Sequence, residues 1–214
     1  MRKILTFEGP VIQFFHTTGE LIIATMLFLL FCIPIVTAGA SVTSLYYTVI
    51  KSVRRDRGYV TSEFMRSLRR TLGKGSVLTV GILVWFGLLW LGRMRTDGHM
   101  ALAYNVLIIV SICVSVYIFP VLSRFEMKLI GIIKLSFVMS IRYFYYTILI
   151  LVGTVLLVWL QYFYFPIPCI FVLPGVWCYV ITFMMEKALL GYMPSKEEAE
   201  KNGQSVDIDA WYYE

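Results

Sequence analysis

The sequence predicts an all-α, polytopic transmembrane helical bundle of about six spans, with amphipathic cytoplasmic segments. Three observations predict it. Apolar residues make up 59% of the 214 residues and charged residues 15%, against roughly 45–50% and about 25% in soluble domains. The apolar residues fall into separate runs, several of them near the roughly 20 residues that a crossing helix needs. Basic residues gather between alternate runs, as the positive-inside rule requires. Mean hydropathy is +0.77. A soluble globular domain, a disordered chain and a nucleic-acid module are thereby excluded. The net charge of +6 does not argue for nucleic acid, because the cations lie between apolar runs and not on a face in water.

Residues 1–20 read as an interfacial N-terminal segment, with Ile4, Leu5, Phe7, Val11, Ile12, Phe14 and Phe15 on either side of Gly9-Pro10. Arg2, Lys3, the run from Leu21 to Ile33 and Ala38-Gly39-Ala40 imitate a secretory signal. The run starts late and Glu8 and Glu20 interrupt what precedes it, so an uncleaved chain is expected. The bundle then occupies residues 21–185. Span one runs from Leu21 to about Pro34, and span two from Val36–Ala40 to Ile50. Pro34, Thr37 and Gly39 mark a tight hairpin tip, where small residues let two backbones approach closely. One long kinked helix is the rival reading there. The hydroxyl-rich patch of Thr37, Ser41, Thr43 and Ser44 reads as a packing surface before it reads as the lining of a polar cavity.

The stretch from Lys51 to Ser76 holds eight cations. Within it Phe64, Met65, Leu68 and Leu72 fall on one stripe at 100° per residue, with Arg66, Arg69 and Arg70 elsewhere, so an amphipathic helix along the inner leaflet is predicted. Its arginines would reach anionic lipid phosphates. Span three follows over Val77–Leu91 and span four over Ala101–Leu122. A second mixed stretch, Ser123–Arg142, contains Phe125, Lys128, Phe137 and Arg142. Span five is Tyr143–Tyr164 and span six Cys169–Met185. Residues 186–214 form a polar cytoplasmic tail. With this layout all of the 19 Lys and Arg except Arg93 and Arg95 fall on one side. Both termini are therefore expected in the cytoplasm.

Two stretches echo each other at an offset of 73 residues: Phe64-Met-Arg-Ser67-Leu-Arg69 and Phe137-Val-Met-Ser140-Ile-Arg142. They suggest two parallel units, each a helix in, an amphipathic segment and a helix out.

Chemistry-bearing groups are sparse. Cys32, Cys113, Cys169 and Cys178 form no C-x-x-C pair, and His16 and His99 have no partner at ligand spacing. There is no Walker lysine motif, no H-E-x-x-H and no G-x-S-x-G. No catalytic residue, metal or cofactor is expected, and the chain does not read as an enzyme.

Ile33-Pro34-Ile35-Val36-Thr37-Ala38-Gly39-Ala40, then Leu45-Tyr46-Tyr47, the basic Arg54–Gly58 and Phe64-x-x-Ser67-Leu68 resemble the YesL family of bacterial membrane proteins. The resemblance extends from about Leu21 to Tyr192. It implies a multi-pass bacterial plasma-membrane protein without defined catalytic activity, often encoded beside carbohydrate ABC importers. The expected function is that of a non-catalytic accessory subunit touching the importer's membrane subunits. Phe64, Arg66, Leu68, Arg70, Phe125, Lys128, Phe137 and Arg142 are the candidate contact residues. The alternatives are a stand-alone small-solute transporter or channel, and a membrane regulator of sugar uptake.

Overall fold

The computed structural model describes residues 10–54, 59–96, 98–125, 127–163 and 173–190. Residues 1–9 of the N-terminal segment and 191–214 of the tail lie outside them. The described chain forms seven helices: α1 (Pro10–Cys32), α2 (Ala38–Thr48), α3 (Val60–Met94), α4 (His99–Arg124), α5 (Leu129–Arg142), α6 (Phe144–Phe163) and α7 (Leu173–Leu190). A 3-10 turn over Ile35–Thr37 precedes α2, and a π-helical stretch over Val49–Arg54 follows it.

Pro10 opens α1, at the position where a missing N–H costs nothing. Pro34 ends the helical path two residues after Cys32, since its ring fixes φ and restricts the residue before it. The carbonyls left over at this break are satisfied locally. The Thr37 hydroxyl donates to the Phe31 carbonyl at 2.7 Å, and the Ser41 hydroxyl donates to the same oxygen at 3.0 Å. The Thr37 N–H donates to the Pro34 carbonyl at 3.0 Å. In a medium without water, such closure is what allows a chain to leave a helix. Two separate helices therefore meet at the tip, not one kinked helix.

α2 is enclosed by its neighbours, with Gly39 to Ser41 and Thr43 to Thr48 buried. With the 3-10 turn before it and the π-helical stretch after it, the helical path is continuous from Ile35 to Arg54. The predicted second span is thus an interior helix, enclosed by protein and not facing lipid along its length. Close approach to α3 explains its small residues. A Cβ on Gly75 would lie 2.9 Å from the Ala40 backbone, and one on Gly39 would collide with Thr79 and the Phe119 ring. The Gly39 N–H donates to Thr79 Oγ1 at 3.1 Å. Thr43, Ser44 and Thr48 each return their hydroxyl to the carbonyl four residues back, at 2.7–2.8 Å.

α3 differs from expectation in the opposite sense. The segment predicted to lie on the leaflet and the predicted third span are one continuous helix of 35 residues, about 52 Å long. No proline interrupts it, and Gly73 and Gly75 sit within it as ordinary helical residues. The helix is longer than a bilayer core is thick by several turns, and its first turns are the basic ones. α4 and α6 coincide closely with spans four and five.

Among the described residues three helices, α3, α4 and α6, are long and apolar enough to cross a membrane. Shorter apolar stretches occupy His16–Cys32 and Leu173–Glu186. The number of full-length spans is therefore lower than the six predicted. Hydropathy alone does not separate a helix enclosed by protein from one bathed in lipid. The outward faces are apolar: Leu102, Val106 and Ile109 on α4 and Val152, Val155 and Leu156 on α6 are all exposed. Apolar surface of this extent is stable only against lipid, and the chain is a multi-pass membrane protein.

Two interior clusters hold the helices together. One joins Tyr46 and Ile50 to Tyr117, Val121, Ile132, Met139, Met185 and Leu189. The other joins Leu21, Ala24, Leu45, Val49 and Val53 to Val60, Phe64 and Leu68. The echoed motifs do not share an environment. Phe64 is fully buried inside α3, whereas Phe137 on α5 is 46% exposed. Tyr143 then breaks the helix before α6, while the chain after Arg69 continues unbroken.

Candidate functional site at the basic end

The π-helical stretch brings Lys51 out of the end of α2 toward the first turns of α3. π-Helical turns are rare and recur at functional sites. The Lys51 ammonium donates to Glu63 Oε2 at 2.8 Å and to the Tyr47 hydroxyl at 3.2 Å. It also lies 5.4 Å from the centroid of the Tyr47 ring. The Lys51 and Glu63 side chains are only 12% and 9% exposed. Burial works to deprotonate Lys51, but the hydrogen bonds to Glu63 and Tyr47 and their charges outweigh it, and its pKa is raised above the ordinary 10.5. Arg66, one turn along, reaches the other Glu63 oxygen at 3.3 Å from an exposed position.

A second pair closes the same end from α4 and α7. Arg124 Nη2 lies 3.5 Å from Glu186 Oε1, with the two side chains 2% and 8% exposed. Charges so enclosed persist only when paired. Between these two pairs lies a recess of about 60 Å³ lined by Tyr47, Lys51, Arg66, Arg70, Lys74 and Arg124, with Ser67, Thr71 and Ser123 among its hydroxyls. Lys74 Nζ donates to the Met127 carbonyl at 3.3 Å across its edge. The described lining therefore carries five cationic side chains and no carboxylate.

The residues proposed for contact divide by environment. Arg66, Arg70, Lys128 and Arg142 are exposed, and Arg142 lies 5.9 Å from the Tyr143 ring centroid. Phe137 is exposed as well. Phe125 is partly buried against the first cluster. Phe64 and Leu68 point inward, 0% and 2% exposed, so the apolar stripe of α3 covers α1 and α2 and not a leaflet. Of the hairpin residues, Pro34 is exposed, Thr37 is half-buried and Gly39 is buried. The structure brings Arg66, Arg70 and Phe125 together at the recess and leaves Lys128, Phe137 and Arg142 outside its lining.

Lys51, Glu63, Arg124 and Glu186 were not legible as a constellation. Glu63 reads as one acid in a basic stretch, and 62 residues separate Arg124 from Glu186. The only signal was that each flanks an apolar run. Among the described residues no group of three His, Cys, Asp or Glu could hold a metal ion.

Residues 21–92, about a third of the chain, match the family described as "Protein of unknown function, DUF624". The match agrees with the YesL resemblance over part of the length. It takes in the hairpin tip, α2, the Lys51–Glu63 pair and nearly all of α3, and stops short of Arg124 and Glu186. No curated protein and no solved structure matches the chain.

Proposed function

We propose that the protein is a non-catalytic accessory subunit of the bacterial plasma membrane, acting by contact with the membrane domains of a carbohydrate ABC importer. The observation that carries the contact reading is the overhang of α3. This helix outruns the bilayer and presents Arg66 and Arg70, exposed, on a base made rigid by Phe64 and Leu68. A rigid helical surface that ends in planar cations suits a docking contact. The importer as partner rests on the family's frequent encoding beside carbohydrate ABC importers, which is association and not mechanism.

The basic end faces the cytoplasm in this reading, because Lys51, Arg66, Arg69, Arg70, Lys74 and Arg124 collect there and Arg93 and Arg95 lie at the far end of α3. Glu186, near the end of α7, pairs with Arg124, which supports a cytoplasmic tail in this reading, and the charges of Arg2 and Lys3 support a cytoplasmic N-terminus. Anionic lipids of the inner leaflet would surround this rim. A solute path through the chain needs polar groups open to water at mid-depth. The hydroxyls of Thr43, Ser44 and Thr48 bond to their own helix and that of Ser41 to the end of α1, which supports close packing instead.

Purification in mild detergent, with identification of the chains that accompany the protein, tests the proposal. A permease subunit in stoichiometric amount is the expected result. Arg66→Glu with Arg70→Glu should release it while membrane insertion stays unchanged. Retention by that double variant overturns the docking surface, and solute flux through the pure chain in liposomes overturns the accessory role.

A further inference from the structure

The joint between α5 and α6 lacks the common causes of a helix break. Neither proline nor glycine lies between Ile132 and Val152, so local sequence favours one helix from Leu129 to Phe163. The ladder instead runs as far as the Tyr143 N–H, which donates to the Met139 carbonyl at 2.9 Å. It resumes with the Thr147 N–H, which donates to the Tyr143 carbonyl at 3.1 Å. Tyr143 itself sits at φ −111° and ψ 38°, outside the helical region. Phe144, Tyr145 and Tyr146 thereby become a first turn, whose N–H groups have no acceptor within α6. A straight helix would give them the carbonyls of Ser140, Ile141 and Arg142.

What holds the break open comes from another helix. Tyr117 of α4 is fully buried, and its hydroxyl lies 3.2 Å from the Tyr143 carbonyl and 2.9 Å from Thr147 Oγ1. The Thr147 hydroxyl reaches the same carbonyl at 3.2 Å. One proton serves the carbonyl and the other joins the two hydroxyls. A side chain inserted at the ladder in this way kinks a helix. The echo at 73 residues supplies a comparison inside the molecule. Its equivalent of Tyr117 is Ser44, whose hydroxyl turns back to the Ala40 carbonyl at 2.8 Å. Its equivalent of Tyr143 is Arg70, and there α3 passes without a break. α6 is also little enclosed. Thr147 and Ile150 are its buried residues, and Trp177 of α7 reaches it with one hydrogen bond to Thr154 at 3.0 Å.

We infer that Tyr143 is a hinge latched by the Tyr117 hydroxyl, and that α5 and α6 merge into one straight helix when the latch opens. Opening exchanges the buried hydroxyl contacts for backbone bonds across the joint, so a few hydrogen bonds stand on each side of the balance. The movement ties the setting of α5, on which Phe137 and Arg142 are exposed, to the tilt of the span that follows it. It needs no permease, so it stands or falls separately from the accessory role.

The test uses the full chain with its four cysteines replaced, reconstituted in phosphatidylcholine nanodiscs. Nitroxide labels at Val158→Cys on α6 and Leu102→Cys on α4, both exposed positions, are read by pulsed electron resonance. Val158 lies 15 residues beyond Tyr143, about 22 Å along the helix. A change of about 20° at the hinge therefore moves the label by about 8 Å. A second pair, Val158→Cys with Leu91→Cys on α3, detects a swing at right angles to the first. Tyr117→Phe removes the latch and keeps the ring. It should raise the weight of a discrete second distance about two- to tenfold over the unaltered chain. Thr147→Val should raise the same distance. Tyr145→Phe removes an exposed hydroxyl beside the joint and should change nothing. A distribution unchanged in both latch variants overturns the hinge. So does broadening without a second distance, which marks loosened packing. Circular dichroism separates either result from unfolding, since helical content should hold or rise when the joint straightens.

Discussion

Glu63 holds two cations with one carboxylate, and its worth depends on which of them is enclosed. The Arg66 partner is largely exposed and contributes little, as surface pairs do. Lys51 is the enclosed one. Glu63→Gln leaves that ammonium buried without its counter-charge and should destabilise the protein by on the order of 3 kcal/mol. Thermal unfolding in detergent measures it. Replacing both members together, Lys51→Met with Glu63→Leu, should recover most of the loss, because no charge is then stranded. The dependence on pH has a fixed sign. Lys51 has a raised pKa in the folded protein, so its pairing contributes fully below the unfolded value and is lost as pH rises through the folded one. The gap between wild type and Glu63→Gln should accordingly narrow at alkaline pH above 10.5.

Helix against helix, the contact of α2 with α3 is set by glycine and alanine. Gly75→Val should drive α2 away from α3, since even its Cβ would lie within 3.0 Å of Ala40. Gly81 and Gly87 lie on the same helix with nothing within 4 Å of a built Cβ. Gly81→Ala and Gly87→Ala should be neutral or stabilising, since alanine favours helix over glycine by about 1 kcal/mol. Stability in a detergent thermal scan separates the two classes. If Gly75→Val unfolds at the wild-type temperature, the close packing of α2 on α3 is wrong. This scale also shows what hydropathy makes legible. α4 and α6 are uninterrupted apolar runs with polar ends, and their limits could be read to within two residues. α2 could not, because its enclosure depends on α3 and α4 packing around it, which hydropathy does not show. Gly73-Lys74-Gly75 falls between the predicted leaflet helix and the predicted third span. In fact small residues there mark the approach of α2, and no proline stops α3 from running through. The cations of the site were visible one by one, but their convergence depends on α4 and α7 returning to the same end.

The proposed orientation of the whole molecule follows from the asymmetry of charge along α3. On a cysteine-free background, Arg95→Cys should react with an impermeant maleimide in intact cells. Arg69→Cys should react only once the membrane is opened. The reverse pattern would invert the assignment of the basic end to the cytoplasm. The same experiment bears on the family stretch, since residues 21–92 include Arg69 and end three residues before Arg95.

The enclosure of α2 also constrains biogenesis. Eleven residues rich in serine and threonine emerge from the ribosome before α3 and α4, which later surround them. Alone in the translocon, this segment lacks the helices that enclose its small and hydroxyl side chains. It must wait beside the membrane, or in the protected lateral opening of the insertion machinery, until α3 arrives to receive it. The chain up to Met94 is thus an intermediate exposed to membrane quality-control proteases, and synthesis that stalls before Met94 should leave a fragment that cells degrade.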